Sequence, residues 1–269
     1  MRCAVQIPPR WVASSGDAER PNVARLYDYY LGGAHNFAVD REFAEQTMKV
    51  VPTAAIVQHT RSFLRRAVRV CVANGIRQFL DLGSGIPTAG NVHEVAQQAD
   101  PTCRVVYVDN EPATVAHGRT MLRGNATAAM VGADVRDPAA VLAAPEARAL
   151  LDLSEPVCVL FVSVLPYVLD EDRPADVVAG YRAVMAPGSH LVMSHLTGDV
   201  QPEMVAKLVD VAAETLTPIV ARPRSAIEAL LEGFDLLAPG LVLTGRWRGE
   251  SPAETGAESV SYVAVGVKR

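Results

Sequence analysis

The residues best suited to chemistry are a glycine-containing turn and aspartates that each follow a predicted strand. The turn covers residues 81–85 (DLGSG), and its two glycines let the backbone approach a ligand closely. Asp109 and Asp134 follow the next two predicted strands. A carboxylate after the second strand can accept both hydroxyls of a ribose, and one after the third could accept an exocyclic adenine amine. Because these strand ends lie side by side in an open α/β sheet, the pattern predicts a nucleotide-type site.

Each of these features also has a purely structural interpretation. A Gly-x-Gly turn can be a plain tight turn, and Thr88 stands where the dinucleotide fingerprint has a third glycine. An aspartate after a strand is often a helix N-cap, and Asp134 is the one most open to that interpretation. Asn91 and Glu94 have the spacing of a capping box, which predicts a helix start there.

Short apolar runs separated by helical stretches predict five parallel strands built from βαβ units. The runs cover residues 78–82, 104–108, 128–132, 157–162 and 190–194. Helices are expected near 91–99, 112–122, 138–150, 174–186 and 202–214. Two further strands, 241–247 and 259–267, flank a polar segment and predict an antiparallel hairpin. The predicted fold class is therefore α/β and Rossmann-like, with a seven-stranded mixed sheet that ends in this hairpin.

About fifty residues of helix are predicted before the first strand. Residues 1–20 show no periodicity and are expected to form a flexible arm. The helices over 21–75 are expected to form a lid, and residues 76–269 the ligand-binding domain. The third helix is expected to begin with Thr53 as its cap.

The bent loop after the first predicted helix combines glycine with small polar groups. Tyr27, Gly33 and Asn36 are candidate ligand contacts from this lid, while a simple helix hairpin is the alternative. On the third helix, Arg61, Arg65 and Arg69 lie four residues apart and Arg66 is their neighbour. A solvated face is the expected interpretation, and an anionic partner would dock there if one exists.

Composition excludes several classes of function. The 269 residues carry 25 basic and 30 acidic side chains, so no overall basic field attracts a nucleic-acid backbone. The longest apolar run, 157–162, is far shorter than the ~20 residues that span a bilayer. Four scattered cysteines lack zinc or redox spacing and fit a reducing cytoplasm. No metal site is predicted, because no histidine pair has ligand spacing.

Three longer strings carry a family resemblance. They are PNVARLYDYYLGGAHNFAVDR at 21–41, GIPTAGNVHE at 85–94 and FDLLAPG at 234–240. The turn, the aspartate after the second strand and the terminal hairpin resemble class I S-adenosylmethionine-dependent methyltransferases. The three strings are similar to one mainly actinobacterial S-adenosyl methyltransferase family, formerly known as a domain of unknown function. The similarity covers nearly all of residues 21–269.

The resemblance implies S-adenosyl-L-methionine as cofactor and assigns roles by position. It places the glycines of the turn beside the methionine part, Asp109 on the ribose and Asp134 near the adenine. Asp81 would orient the loop or meet the amino group through water. The implied cofactor contacts are Asp81, Gly83, Ser84, Gly85, Asp109, Asn110, Asp134, Val135 and Ser163, together with Tyr27, Gly33 and Asn36 of the lid.

The segment at 164–167 (VLPY) has only half of the amine-methylating signature of this superfamily, so methylation of an adenine-type amine is not expected. Pro166 can equally be a strand terminator, and Tyr167 a core aromatic.

Methyl transfer from a sulfonium is an in-line displacement for which alignment is the main requirement, and positioning alone can supply ~7 to 11 kcal/mol. A general base is needed only if the acceptor must lose a proton. His195, expected just beyond the fifth strand, is the first candidate, His35 the second and His93 the third. Each could instead satisfy backbone groups.

The expected acceptor is a small molecule. Two other functions stay open at this point: a protein that binds the cofactor or its product without turnover, and a nicotinamide-dependent oxidoreductase. The missing third glycine and the terminal hairpin argue against the oxidoreductase.

Overall fold

The computed structural model describes residues 20–86, 90–213, 217–249 and 259–269. The expected arm at 1–19, Thr88 and most of the loop between the last two strands lie outside the described residues.

Three helices precede the sheet: α1 (Val23–Tyr30), α2 (Ala38–Met48) and α3 (Thr53–Ala73). The Asn22 side chain caps α1 by accepting from the Arg25 N–H at 3.2 Å. Thr53 is the first helical residue of α3 rather than its cap, because the N-cap is Pro52 and no side chain caps this end. Buried Asp40 accepts a 2.6 Å hydrogen bond from Arg25, which joins α2 to α1.

The described residues form a sheet of eight strands, one more than the sequence pattern predicts. They are β1 (Gln78–Leu82), β2 (Arg104–Asp109), β3 (Ala128–Gly132), β4 (Cys158–Val162), β5 (His190–Leu196), β6 (Phe234–Leu236), β7 (Val242–Leu243) and β8 (Ser261–Lys268). Their order is β3-β2-β1-β4-β5-β8-β6, with β7 also pairing with β8. The first five are parallel and β8 is antiparallel to β5, so the α/β class and the antiparallel end are confirmed.

The differences from the predicted elements are local. In the described part of the chain, the α-helices after β1 are α4 (Val92–Ala99), α5 (Pro112–Met121), α6 (Pro138–Ala143), α7 (Pro145–Leu150), α8 (Pro174–Val184), α9 (Pro202–Ala213) and α10 (Arg224–Leu230). The helix expected over 138–150 is two helices, because Pro145 disfavours a helical conformation at Ala144. The strand expected over 241–247 shortens to β7 and a 3-10 turn, Thr244–Arg246.

The core lies on both faces of the sheet. Alternate residues of β1 separate into two buried clusters, Leu80 and Leu82 on one face and Phe79 on the other. The second cluster includes Phe63, Ala67 and other residues of α3. The third N-terminal helix therefore packs as part of the sheet's core. In the part of the chain that the structure describes, no helix is long and apolar enough to cross a membrane.

Candidate functional site

A cavity of about 580 Å³ lies at the carboxyl ends of the parallel strands, between them and the N-terminal helices. The strand order reverses between β1 and β4, and open α/β sheets bind ligands at such a switch point. The cavity brings together most of the predicted cofactor contacts. Those that line it are Tyr27, Asp81, Gly83, Ser84, Gly85, Asp109, Asn110, Asp134, Val135 and Ser163.

The glycine turn after β1 needs its glycines for conformation. Gly83 and Gly85 have φ values of +63° and +65°, a region that other residues rarely adopt. A side chain at Gly83 would also collide with Val164, whereas the space beside Gly85 is open. Backbone atoms of this turn are therefore accessible from the cavity, as a ligand loop requires.

Asp109 at the end of β2 holds the turn in place. Its Oδ2 accepts the Gly85 N–H at 2.9 Å, and its Oδ1 accepts the Glu111 N–H at 3.0 Å. Burial raises the pKa of Asp109, and these backbone donors oppose the rise. A carboxylate has about four acceptor sites, so both oxygens retain capacity for two ribose hydroxyls. The residue fits the role that the resemblance implies.

Asp81 is a buried carboxyl group at the same end of the cavity, 7% exposed. Burial raises the pKa of Asp81 to about 7, although nearby Arg61 lowers it, and the charge of Asp109 adds to the rise. Asp81 therefore changes charge near neutral pH.

Asp134 after β3 lines the cavity but already has a partner. Its carboxylate forms a 2.6 Å ion pair with Arg136, which also contacts Asp172 at 3.0 Å. The hydrogen bonds from Arg136 hold the pKa of Asp134 below its usual value. Asp134 is not a helix N-cap, since Asp137 caps α6.

The segment after β4 forms one wall of the cavity. Ser163 has a φ of +61°, unusual for a residue with a side chain, and its N–H donates to Ser194 Oγ at 2.8 Å. The 3-10 turn Leu165–Tyr167 follows. Pro166 and Tyr167 both line the cavity, so neither is only a terminator or a core residue.

Gly33 and Asn36, the two predicted lid contacts besides Tyr27, belong to a hydrogen-bond network around buried Asp28. The His35 N–H donates to Asp28 Oδ2 at 2.7 Å, and Asn36 Nδ2 donates to the same oxygen at 2.9 Å. Asn36 also donates to the Gly33 carbonyl. Gly33, His35 and Asn36 are not among the described residues that line the cavity. Their contact with the cofactor stays a prediction, and the hydrogen bonds explain them as the fixed turn between α1 and α2.

The three histidine candidates for a general base are all engaged elsewhere. His195 lies within β5, because the pairing with β8 continues to Leu196. Its Nδ1 contacts the Leu196 carbonyl and its Nε2 contacts Arg222 Nη1, both at 2.8 Å. Burial lowers the pKa of His195 to about 4.

The ring of His35 packs 4.2 Å from that of His117, and His93 Nδ1 lies 2.7 Å from the Tyr107 hydroxyl. None of the described cavity-lining residues is a histidine. The arrangement therefore favours structural roles for His35, His93 and His195.

Sequence reasoning missed the role of two arginines on α3. Arg61 and Arg66 are each 7% exposed, so the expected solvated stripe is wrong at these positions. Arg66 donates to the Trp247 carbonyl at 3.1 Å, whereas Arg61 lines the cavity. One signal was available: Arg61 lies four residues after Val57 and three before Leu64, on the apolar side of the helix.

Comparison with known families settles the class of the protein. A family model described as S-adenosyl methyltransferase matches residues 9–269. The chain belongs to the S-adenosyl methyltransferase family. The predicted methyltransferase class and the S-adenosyl-L-methionine cofactor are thereby confirmed.

Two solved structures are similar over nearly the whole chain. A protein from Thermobifida fusca YX, proposed to be a methyltransferase, has 38% identity and a TM-score of 0.90, covering 99% of this chain and 100% of that one. A DUF574-family protein from Streptomyces avermitilis MA-4680 has 34% identity and a TM-score of 0.88, with 94% and 99% covered.

The N-methyltransferase NodS from Bradyrhizobium japonicum WM9 shares only the fold, with 15% identity and a TM-score of 0.50 over 78% of this chain and 97% of that one. No curated protein gives a significant match.

Proposed function

We propose that this enzyme of the family methylates a small, predominantly apolar molecule. The observation that carries the proposal is that one cavity joins the cofactor-binding strand ends to an apolar wall. On the side of the N-terminal helices, the wall includes Tyr30, Phe43 and Ile56. It also includes Leu208 and Ile219, which pack against the same buried apolar cluster as Ile56. Small-molecule sites are typically apolar clefts with a few polar groups that fix orientation, and this cavity has that composition.

Residues of this chain would hold and orient the two ligands. S-adenosylmethionine supplies a methyl group that is already activated on its sulfonium. Asp109 would accept the ribose hydroxyls, and the backbone around Gly83 and Gly85 would lie along the amino-acid end. Tyr27, Tyr30 and Tyr167 offer hydroxyl groups to the acceptor, and burial raises the pKa of each, so they stay protonated. Alignment of the two ligands in the cavity is then the main catalytic contribution of the protein.

Location is part of the same proposal. Cys71, Cys103 and Cys158 are buried free thiols, which supports a reducing, cytoplasmic environment.

Calorimetric titration with S-adenosylmethionine and S-adenosylhomocysteine tests the cofactor role of Asp109. Asp109→Ala should weaken both ligands at least about tenfold, since charge-assisted hydrogen bonds to the ribose are lost. Asp235→Ala is the matched control, because this exposed carboxylate lies in the edge strand β6, does not line the cavity and pairs with Arg269. Unchanged affinity in Asp109→Ala would contradict the assignment.

Incorporation of a labelled methyl group from the cofactor, using a cell extract as the source of acceptors, tests turnover and acceptor class together. Label is expected in the small-molecule fraction that partitions into organic solvent. Label in protein or nucleic acid would overturn the proposed acceptor class. The absence of any enzyme-dependent label would favour binding without turnover.

A further inference from the structure

Arg61 is buried, and in the part of the chain that the structure describes its Nε has no hydrogen-bond partner. Its side chain is 7% exposed and lines the cavity. Its guanidinium lies over the Tyr27 ring, 5.6 Å from the centroid, and its Nε is buried without a hydrogen-bond partner. In the described parts of the chain, no carboxylate forms an ion pair with it.

Burying a guanidinium without an ion pair is energetically unfavourable in the protein without its ligand. Removing a charge from water has a large cost unless hydrogen bonds and an opposite charge compensate it. The packing over Tyr27 provides only part of that compensation. An arginine that faces a cavity in this way is suited to an anion that arrives with a ligand.

The other charged groups of the cavity show where that anion belongs. Of the cavity-lining residues that the structure describes, the arginines are Arg61 and Arg136, and Arg136 already pairs with Asp134 and Asp172. Asp81 lies near enough to Arg61 for their charges to interact, although the two are not ion-paired. A separate positive and negative group at one end of a cavity complements a zwitterion.

We propose that Arg61 binds the α-carboxylate at the amino-acid end of the cofactor, while Asp81 faces the α-ammonium group of the same end. The proposal rests on the proposed function, because it takes the cavity as the cofactor site. It makes Arg61 a binding residue supplied by α3, outside the strand-end positions where the sequence pattern looks for cofactor contacts. It also leaves the apolar wall without a cationic anchor, in keeping with an uncharged acceptor.

Calorimetry with two ligands tests the proposal: S-adenosylhomocysteine and its decarboxylated analogue, a thioether that keeps the amine and lacks the carboxylate. Arg61→Met should weaken S-adenosylhomocysteine by about 10- to 100-fold, the range for a charge-assisted hydrogen-bonded pair. The analogue should bind wild type and variant within about twofold, because it has no group for Arg61 to contact. Arg69→Met is the matched control, since this arginine is exposed on the same helix and should change neither affinity.

Stability of the free protein separates a binding role from a structural one. Since the buried Arg61 Nε has no hydrogen-bond partner among the described residues, Arg61→Met should unfold at the same temperature as wild type or higher. Arg61→Lys, which keeps the charge, should retain a preference for S-adenosylhomocysteine over the analogue. If Arg61→Met does not fold, the test is the preference of Arg61→Lys and of wild type for S-adenosylhomocysteine over the analogue.

Two results would overturn the proposal. Equal weakening of both ligands in Arg61→Met would mean that Arg61 only shapes the cavity. Unchanged binding of S-adenosylhomocysteine would assign Arg61 to an anionic acceptor instead. A wild-type protein that binds neither ligand would be a different failure, that of the proposed function.

Discussion

Two aspartates in the same cavity are tuned differently by their surroundings. Asp109 accepts backbone hydrogen bonds from Gly85 and Glu111, which oppose only part of the rise that burial causes in its pKa. For Asp81 burial is opposed by the charge of Arg61, and its pKa still rises to about 7. Asp109 is therefore suited to a fixed structural and binding role, whereas the charge of Asp81 depends on pH near neutrality.

This difference predicts a pH dependence of ligand binding. Asp81 is ionised above its pKa of about 7 and neutral below it, and only the ionised form pairs with an ammonium group. The affinity for S-adenosylhomocysteine should therefore fall about tenfold as the pH is lowered from about 8 to 6. Calorimetry across this range measures the effect. Asp81→Asn should bind more weakly at pH 8 and show a flat profile, and a wild-type affinity independent of pH would disprove the role.

At the residue scale, the sequence predicts which residues line the cavity where their position is set by a strand end. Asp81 and Asp109 lie in the last residues of β1 and β2, Asp134 follows β3, and all three line the cavity. Arg61 was missed because helical spacing indicates a buried side of α3 but not what that side faces. The surroundings of His195 could not be predicted for another reason: Arg222, which contacts its ring, lies 27 residues further along the chain. Such a contact depends on tertiary packing.

The Arg222 side chain connects the turn after β4 to the end of β5. Its guanidinium donates to the carbonyls of Leu165 at 3.2 Å and Val168 at 2.8 Å, and contacts His195 Nε2 at 2.8 Å. It also forms a 2.6 Å ion pair with Asp170. The turn after β4, which supplies the cavity wall, is thereby attached to the end of β5.

Replacing Arg222 should loosen that wall. Arg222→Met leaves buried carbonyl groups without donors and should lower the free energy of unfolding by about 3 kcal/mol or more. Urea denaturation measures the loss. Arg224→Met is the control: Arg224 is about half exposed in an i,i+4 pair with Glu228 and should cost at most about 1 kcal/mol. Equal losses in the two variants would show that the Arg222 network contributes little.

At the element scale, the five parallel strands could be predicted because strands buried on both faces read as continuous apolar runs. β6 was missed because it has three residues, two of them exposed, at the edge of the sheet. α10 has seven residues, too few for a clear helical period. The division into α6 and α7 followed from Pro145, whose effect on Ala144 the apolar pattern does not show.

Helix α3, which precedes the sheet, and the segment after β7 meet in one core. Phe63 of α3 packs edge-to-face on Trp247, with ring centroids 5.4 Å apart. Arg66 donates to the carbonyl of the same tryptophan, 181 residues away in sequence. The expected lid over 21–75 thus contains a helix that covers the sheet. Helical periodicity cannot place the expected boundary between lid and ligand-binding domain at residue 75, because a lid helix and a core helix are both amphipathic.

This packing predicts that α3 unfolds together with the sheet. Phe63 is fully buried, so Phe63→Ala should cost about 3 to 5 kcal/mol. In a Trp11→Phe background, Trp247 is the remaining tryptophan of the two and reports on the contact between α3 and the C-terminal strands. Its fluorescence and the far-UV circular dichroism should give coincident urea transitions, both shifted equally by Phe63→Ala. Val50→Ala, at a site 55% exposed, should shift neither by more than about 0.5 kcal/mol. A lid that folded independently would instead lose the tryptophan signal in a separate transition, with the circular dichroism of the sheet unchanged.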